Sequence, residues 1–458
     1  MDDLLVLGAG VTGLSLAKEL SERGWKVTVL EKNKHVGGLA ATLSRDGVKF
    51  DLGSHRIHSD TDRETLSYLE DVLGGRLLRR PRRGRFYFLG SYIRYPPNAA
   101  SILREFRFFD LAKFGLSYLA GALSMRESSA DNFEDVMASR VGKMAYESFY
   151  RDYAVKLWGR SPRAISPDVG RRSRFLSGTQ LFSKVLLRNK SVYYYPNDGI
   201  GEICDKLAAS VERNGGRILL SSEVVGLSVV DGRVAGVQVR DSSGKTNSLK
   251  ASVVVSTLPL DSLYRMAYET DDAPPLDWRG VRILYLLLED DIRKEPETYY
   301  FPNTDVVFGR VSQIRKYSPR MGPKEGTMLT VEVPSSEGEE TWEMPEEELV
   351  KVCVSQLLKV KVLDAKPKIL GHFSLKVEKA YPIYTIGWGE RFTRMYSRLS
   401  SIGNLFLLGR GALFLHCNID HSITQAKKLS AFIAENRTSG KEAWLNAASK
   451  LLKVSARD

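Results

Sequence analysis

Cysteine is scarce in this chain: Cys204, Cys353 and Cys417 stand far apart. Their scatter excludes a disulfide framework and a zinc site, both of which need paired or clustered spacings, and it favours a reducing, cytoplasmic setting. Histidine is also sparse, with six residues in 458, and neither a Ser/His/Asp triad nor a metal-spaced histidine cluster is evident. Long apolar runs are missing as well. The longest weakly charged stretch, Leu111 to Met125, contains Lys113 and falls short of the roughly 20 apolar residues that span a bilayer. It reads as a core helix, with a membrane-surface role as the alternative. The N-terminus lacks the basic region and small-residue cleavage site of a signal peptide, so no processed leader is expected. No internal repeat is found, and low complexity is confined to the acidic segment Ser335 to Glu348.

What is present is an ordinary globular composition, 43% hydrophobic and 27% charged, in a chain long enough for two connected domains. The formal net charge is +12. Its densest basic cluster, Arg76, Arg79, Arg80, Arg82, Arg83 and Arg85, matches no nucleic-acid-binding motif, so no nucleic-acid partner is expected. A solvated face and an anion-steering surface remain as its two readings.

Leu4 to Leu7 forms an apolar strand that ends at Gly8. Val11 to Leu20 then carries helical spacing through Leu14, Leu16, Ala17 and Leu20, and Lys26 to Leu30 is a second strand. This βαβ order requires a parallel sheet covered on both faces by layers from elsewhere in the chain. Further on, Phe106 to Met125, Asn132 to Leu157 and Ile200 to Arg213 read as helices. Arg217 to Ser221, Glu223 to Val230, Arg233 to Arg240, Ser248 to Thr257, Arg282 to Leu288, Met328 to Val333 and Leu405 to Leu408 read as strands.

Gly8, Gly10 and Gly13 form G-x-G-x-x-G between a strand and a helix, and Glu31 ends the next strand. The first glycine permits a tight turn, the second admits a pyrophosphate close to the backbone, and the third lets helix and strand pack closely. The helix N-terminus offers N–H groups and a positive dipole to phosphates. Glu31 suits ribose hydroxyls, which argues against a 2′-phosphate. Gly37, Gly38, Leu39 and Ala40 follow, a second glycine pair where the chain would return past the pyrophosphate.

With that pair the sequence resembles the FAD-dependent amine oxidase superfamily, in its branch joining protoporphyrinogen oxidase-like proteins to UDP-galactopyranose mutases. Phe50-Asp51-Leu52-Gly53-Ser54-His55 looks like the superfamily's segment beneath the flavin. Asn404 to Arg410, followed by Asn418, Asp420, Ile423 and Ala426, resembles its closing motif, where a helix points its N-terminus at the flavin. Lys156-Leu157-Trp158-Gly159, Tyr195 to Gly201, Glu223-Val224-Val225 and Tyr381-Pro382 extend the likeness over nearly the whole chain.

The resemblance implies an α/β fold: a Rossmann-like FAD-binding domain built from residues 1–95, 190–260 and 385–440. An α+β substrate domain of residues 96–189 and 261–384 would be inserted in it, with a basic helix or tail at 441–458. FAD is the implied cofactor, on Gly8, Gly10, Gly13, Glu31, Lys32, Gly37, Gly38, Leu39, Val225, Gly409, Arg410, Asp420 and Ile423.

His55, His58 and Asp420 are the candidate catalytic groups, each with a structural role as its alternative; for Asp420 that alternative is a helix N-cap. Arg56, Arg94, Tyr95, Trp158 and Tyr381 are the candidates for contact with a small-molecule substrate. Arg94, Tyr95, Arg160, Arg174, Arg282 and Arg310 could clamp an anionic one. Cys417 is expected to be buried and inert. The tail, with Trp444, Leu445, Leu451 and Leu452, could make peripheral membrane contact.

Three functions stay open. One is a redox enzyme passing a hydride from substrate to FAD. The second is a mutase-like sugar-nucleotide isomerase, against which His416-Cys417-Asn418 and Gly53-Ser54-His55 depart from the usual mutase patterns. The third is a binding protein of the Rab GDP-dissociation inhibitor kind.

Overall fold

The computed structural model describes residues 2–88, 90–95, 116–117, 130–172, 192–270, 275–292, 296–439 and 441–448. A five-stranded parallel sheet lies at its centre, in the order Arg217–Leu219, Val27–Leu30, Asp2–Leu7, Ala251–Ser256, Leu405–Leu407. Strand periodicity of two explains its double burial. Leu4 and Val6 join a core with the helices Val11–Ser21, Glu202–Arg213 and Ile419–Asn436, whereas Leu5 and Leu7 join a different one. That second core holds the antiparallel sheet Glu223–Val230, Arg233–Arg240, Thr246–Leu249 and the helices Leu260–Tyr268 and Trp388–Ser400. The βαβ expectation, with both faces covered, therefore describes the fold.

Beside this unit stands a seven-stranded, mainly antiparallel sheet in the order Ile369–Ile383, Asp277–Leu288, Thr327–Pro334, Arg310–Gln313, Thr298–Tyr300, Gly84–Phe88, Ser91–Tyr95. Leu284, Leu286, Val331 and Val333 face the helix Glu346–Lys359. Ile283, Tyr285 and Met328 alternate with them and face the nucleotide unit's core. A small antiparallel sheet of Ile57–His58, Val192–Pro196 and Leu77–Pro81 adds Ile57, Tyr193 and Tyr195 to the nucleotide unit's core, and a helical unit is built around Phe133, Met137, Tyr146 and Trp158.

Two expectations change. Asn132 to Leu157 is not one helix: Gly142, at φ +85°, breaks it after Val141, and a π-helical turn covers Tyr146–Tyr150. Ser248 to Thr257 is two strands, one in the small sheet and one in the central sheet. Trp444 of the C-terminal helix Lys441–Ala448 is buried against Phe432 at 5.5 Å, so its ring faces the protein interior. The helix expected at Phe106 to Met125 lies outside the described residues apart from Leu116 and Ser117, as do Arg174, Leu451 and Leu452. Among the described residues no helix is long and apolar enough to cross a membrane and no side-chain cluster suits a metal ion. All three cysteines are buried and unpaired.

Candidate dinucleotide and flavin site

The first strand ends at Gly8, whose φ of +107° and whose contact with Thr257 leave no room for a side chain. Gly10 then caps the helix Val11–Ser21 without a side-chain hydrogen bond, which leaves the first-turn N–H groups to a ligand. A Cβ on Gly13 would stand 2.1 Å from Gly8 O. Gly37 donates its N–H to Ala9 O at 2.8 Å and pairs with Gly10 as an isolated bridge, so the second glycine pair runs alongside the first. Leu39 sits in the short 3-10 turn that follows, Gly38–Ala40, and Lys32 is exposed.

Glu31 is buried, yet each carboxylate oxygen is anchored. Oε2 accepts from Ala9 N–H at 3.0 Å, and Oε1 from the backbone N–H and side-chain amide of Asn33 at 3.0 and 2.8 Å. Backbone bonds from Ser221 to Asn33 O and from Ser222 to Glu31 O tie this corner to the strand that carries Val225.

The C-terminal motif closes onto the same turn. Gly409, at φ +82°, lies so near Thr12 in the first turn of the fingerprint helix that a Cβ would meet its hydroxyl at 2.9 Å. Arg410 donates to Ala380 O at 2.9 Å and Cys417 O at 2.6 Å, and its guanidinium lies 5.6 Å from the Tyr381 ring. Tyr381 in turn stacks on His416. Asn418, not Asp420, is the N-cap of the closing helix, in a reciprocal capping box with His421. Asp420 occupies the first turn with little exposure, accepting a hydrogen bond from Thr61 at 3.4 Å. The Ile423 side chain is fully buried in the core beside the fingerprint helix.

Between these two ends runs the segment Asp51 to His55. The Asp51 carboxyl is buried and accepts from Thr42 Oγ1 and Tyr195 OH, both at 2.5 Å, and from Ile200 N–H at 3.2 Å. Burial nonetheless dominates and pushes its pKa up to about 6. Tyr285 OH donates to Asp51 O at 2.6 Å, and Ser54 N–H donates to Glu332 Oε1 at 2.8 Å. Glu332 is held in turn by both arms of Arg310, at 2.9 and 2.6 Å. A ladder of bonds thus fixes this segment to the seven-stranded sheet.

His55 follows it with its Nδ1 sealed from solvent and without a hydrogen-bond partner among the described residues. Burial, and then the positive charge of Arg310, lower its pKa to about 4, so the imidazole is neutral at physiological pH. Arg56 is buried, 3.2 Å from Glu297 and bonded to Tyr300 OH. His58 lies on the short strand opposite Tyr193.

The substrate candidates separate into groups. Tyr95 packs on Tyr300 at 5.1 Å, and Tyr300 bonds Arg56, which brings these residues together beside Arg94. Tyr381 belongs with Arg410 and His416. Trp158 instead lies in the core of the helical unit, edge-on to Phe133 at 5.0 Å. Arg282 bonds backbone carbonyls of residues 341, 342 and 344 and the Ser374 hydroxyl, and Arg160 bonds only Gly159 O among the described residues. Sequence reasoning passed over Glu332, Tyr285 and Ser312, whose hydroxyl bonds that of Ser54. The available signal was Glu332, the one charge in its strand.

An uncapped helix N-terminus, glycines at the points of closest approach, an anchored acidic side chain at the next strand end and an orphaned imidazole nitrogen together fit a dinucleotide with a redox ring. The profile of the family described as flavin containing amine oxidoreductase matches residues 11–428. The chain belongs to that family. A Klebsiella pneumoniae protein named as a probable UDP-galactopyranose mutase is 25% identical over 179 residues, 37% of this chain and 44% of its own length. The structure of a reduced UDP-galactopyranose mutase superposes with a TM-score of 0.80 at 19% identity, covering 94% of each chain. Cyclohexylamine oxidase from Brevibacterium oxydans IH-35A superposes at 0.67 and 16% identity, covering 95% of this chain and 99% of the other.

Proposed function

We propose that this protein is an FAD-dependent oxidoreductase that takes a hydride from a small organic substrate. The observation that carries the reading is the seating of Gly409 on Thr12, which joins the phosphate-type turn of Gly8, Gly10 and Gly13 to the flavin-type closing motif. In this reading the fingerprint turn would hold the ADP half, with Glu31 for its ribose and Gly37 and Gly38 for the pyrophosphate. Gly53 to His55 and the N-terminus of the closing helix would hold the isoalloxazine. Bound FAD supplies the hydride acceptor, and the chain's own groups orient, tune and exclude water.

A neutral His55 can offer or accept a hydrogen bond at the ring edge without adding positive charge. The dipole of the closing helix favours the negative charge of a reduced flavin. The reading is tested by purifying the protein, recording its visible flavin absorbance and following the bleaching of that band by candidate substrates without oxygen. A colourless protein that does not take up added FAD overturns it.

The sequence match to the Klebsiella protein supports a second reading, isomerisation of a sugar nucleotide by the reduced flavin. Interconversion of UDP-galactopyranose and UDP-galactofuranose by dithionite-reduced protein, and not by oxidised protein, would establish that reading over the first.

A further inference from the structure

The short helix Gly409–Ala412 ends in a turn that glycine ordinarily makes. Leu415 N–H donates to Arg410 O at 3.1 Å and Phe414 N–H to Gly411 O at 3.4 Å. These are the paired bonds of a Schellman end, and its left-handed residue is Phe414, at φ +47°. A side chain crowds its own backbone in that region, and for a bulky one the conformation is an outlier. Among the described residues every other non-glycine residue with positive φ is polar and none of them is buried, whereas Phe414 is fully buried. Something other than backbone preference holds it.

The ring sits in an aromatic box. Trp278 and Tyr384 meet it edge-on with centroids 5.0 and 5.5 Å away, and Trp388 lies at 6.0 Å. The Tyr384 hydroxyl then bridges the strained residue: it donates to Phe414 O at 3.0 Å and accepts from His416 N–H at 3.1 Å. The backbone of Tyr384 is itself fastened, because Ser166 N–H, next to Ile165 of the helical unit's core, donates to its carbonyl at 2.8 Å. Beyond the turn, His416 donates from Nε2 to Pro382 O at 2.8 Å. Arg410 reaches across the segment to Cys417 O, one residue before the cap of the closing helix. Bonds within the protein alone thus fix the segment from Gly409, seated on Thr12, to Asn418.

We propose that Phe414 and Tyr384 are positioning residues for the flavin: they hold the closing segment in its cofactor-binding shape before the cofactor arrives. The proposal rests on the flavin reading. A glycine at position 414 would make the turn without strain, but it would also leave the segment many other conformations. FAD binding would then have to order the segment, which weakens affinity. Residues held in sparsely populated backbone regions gather at ligand sites, where preorganisation is one of their roles. The buried ring selects a single conformation of the closing segment, although the turn itself is destabilised by it.

The test compares Tyr384→Phe, Phe414→Gly and Phe414→Ala with wild type and with the control Tyr268→Phe, whose hydroxyl bonds Arg398 O at the surface. Full-length protein stripped of FAD is titrated with FAD by flavin fluorescence, the visible circular dichroism of the bound flavin is recorded, and the FAD-free forms are melted. Tyr384→Phe keeps the box and loses both hydroxyl bonds, so FAD should bind about tenfold more weakly. The visible dichroism should change as well, a signature that a role in folding alone does not move, and the control should match wild type in both. Without FAD, Phe414→Gly should melt above Phe414→Ala by about 1–2 °C, since both lose the ring and only alanine keeps the strain. Both should bind FAD more weakly than wild type by about tenfold or more. Tyr384→Phe with wild-type affinity and dichroism overturns the proposal, and it decides the matter should the Phe414 variants fail to fold. A Phe414→Ala that melts with or above Phe414→Gly overturns it too. If wild type itself takes up no FAD, the flavin reading fails and the proposal with it.

Discussion

Two substitutions three residues apart separate the two duties of the glycine fingerprint. At Gly10 an added methyl meets nothing nearer than Gly37 O at 4.0 Å, and the backbone, at φ −76° and ψ 175°, accepts alanine. Gly10→Ala should therefore fold with a stability change within about 0.5–1 kcal/mol, the cost of a poorer N-cap. The methyl does, however, point into the approach assigned to the pyrophosphate. Loss of one or two hydrogen bonds to a charged phosphate costs about 1.5–3 kcal/mol each, which weakens FAD binding by at least about tenfold.

At Gly13 the methyl would stand 2.1 Å from Gly8 O and 3.1 Å from Val6 Cγ1. Since ordinary C···O contacts are about 3.3 Å or longer, the helix must retreat from the strand by about 1 Å. Overpacking of that kind costs about 1–3 kcal/mol, offset by up to about 1 kcal/mol of helix propensity. Gly13→Ala should lower the Tm of the apoprotein by a few degrees, and Gly13→Val should abolish FAD retention. Circular dichroism melts of the apoproteins and quenching of flavin fluorescence on titration measure the two effects. If Gly10→Ala binds FAD as tightly as wild type, the pyrophosphate does not lie where this reasoning puts it.

Other consequences concern protons and charges. Asp51 has its folded pKa raised from 3.8 to about 6, so the stability its protonated form contributes is present below pH 4 and lost as pH rises through 6. That loss is on the order of 3 kcal/mol, and Asp51→Asn should flatten the dependence of Tm on pH between 4 and 6. Lys156 shows the opposite slope: burial lowers its pKa to about 7 while it donates to Phe301 O and Phe308 O. Stability should rise between pH 7 and 9, by on the order of 2 kcal/mol, and a wild-type urea midpoint that does not move would refute this; Lys156→Met should remove the rise. Glu31→Ala should weaken FAD retention without unfolding the chain, read by absorbance after gel filtration. His55→Ala should slow turnover or reoxidation while the protein stays yellow, and unchanged rates would return His55 to a packing role.

Legibility followed the range over which the physics acts. The glycine turn could be read because its demands are local: Gly8 needs a positive φ and Gly13 needs contact with the strand seven residues before it. The hairpin Glu223–Val230 to Arg233–Arg240 was readable for the same reason, since Asp231 and Gly232 both take positive φ in a two-residue turn. Gly84–Phe88, which overlaps the end of the basic cluster, and Ser91–Tyr95 beyond it were not read as strands, and they join the seven-stranded sheet rather than the sheet of the fingerprint. The strand Ile369–Ile383 carries Phe373, Leu375 and Val377 in alternation, but its polar face dilutes the apolar signal. The partners of the segment Asp51 to His55 could not be read from spacing. Ser54 meets Glu332 across 278 positions, and no spacing rule encodes such a contact.

The order of the central sheet also bears on how the chain is made. Its middle strand is Asp2–Leu7 and one edge is Leu405–Leu407, so the sheet joins segments whose synthesis is separated by nearly 400 residues, from position 7 to position 405. At about 5–20 residues per second that interval is on the order of 20–80 seconds. Once Ala251–Ser256 is made, the border that pairs with Leu405–Leu407 stays without its partner until that strand follows, which invites aggregation or chaperone capture. A chain stopped before residue 405 would keep every glycine of the fingerprint and still lack the strand and helix that close over it. Premature termination, even late in the message, should therefore yield insoluble protein rather than a weaker cofactor binder.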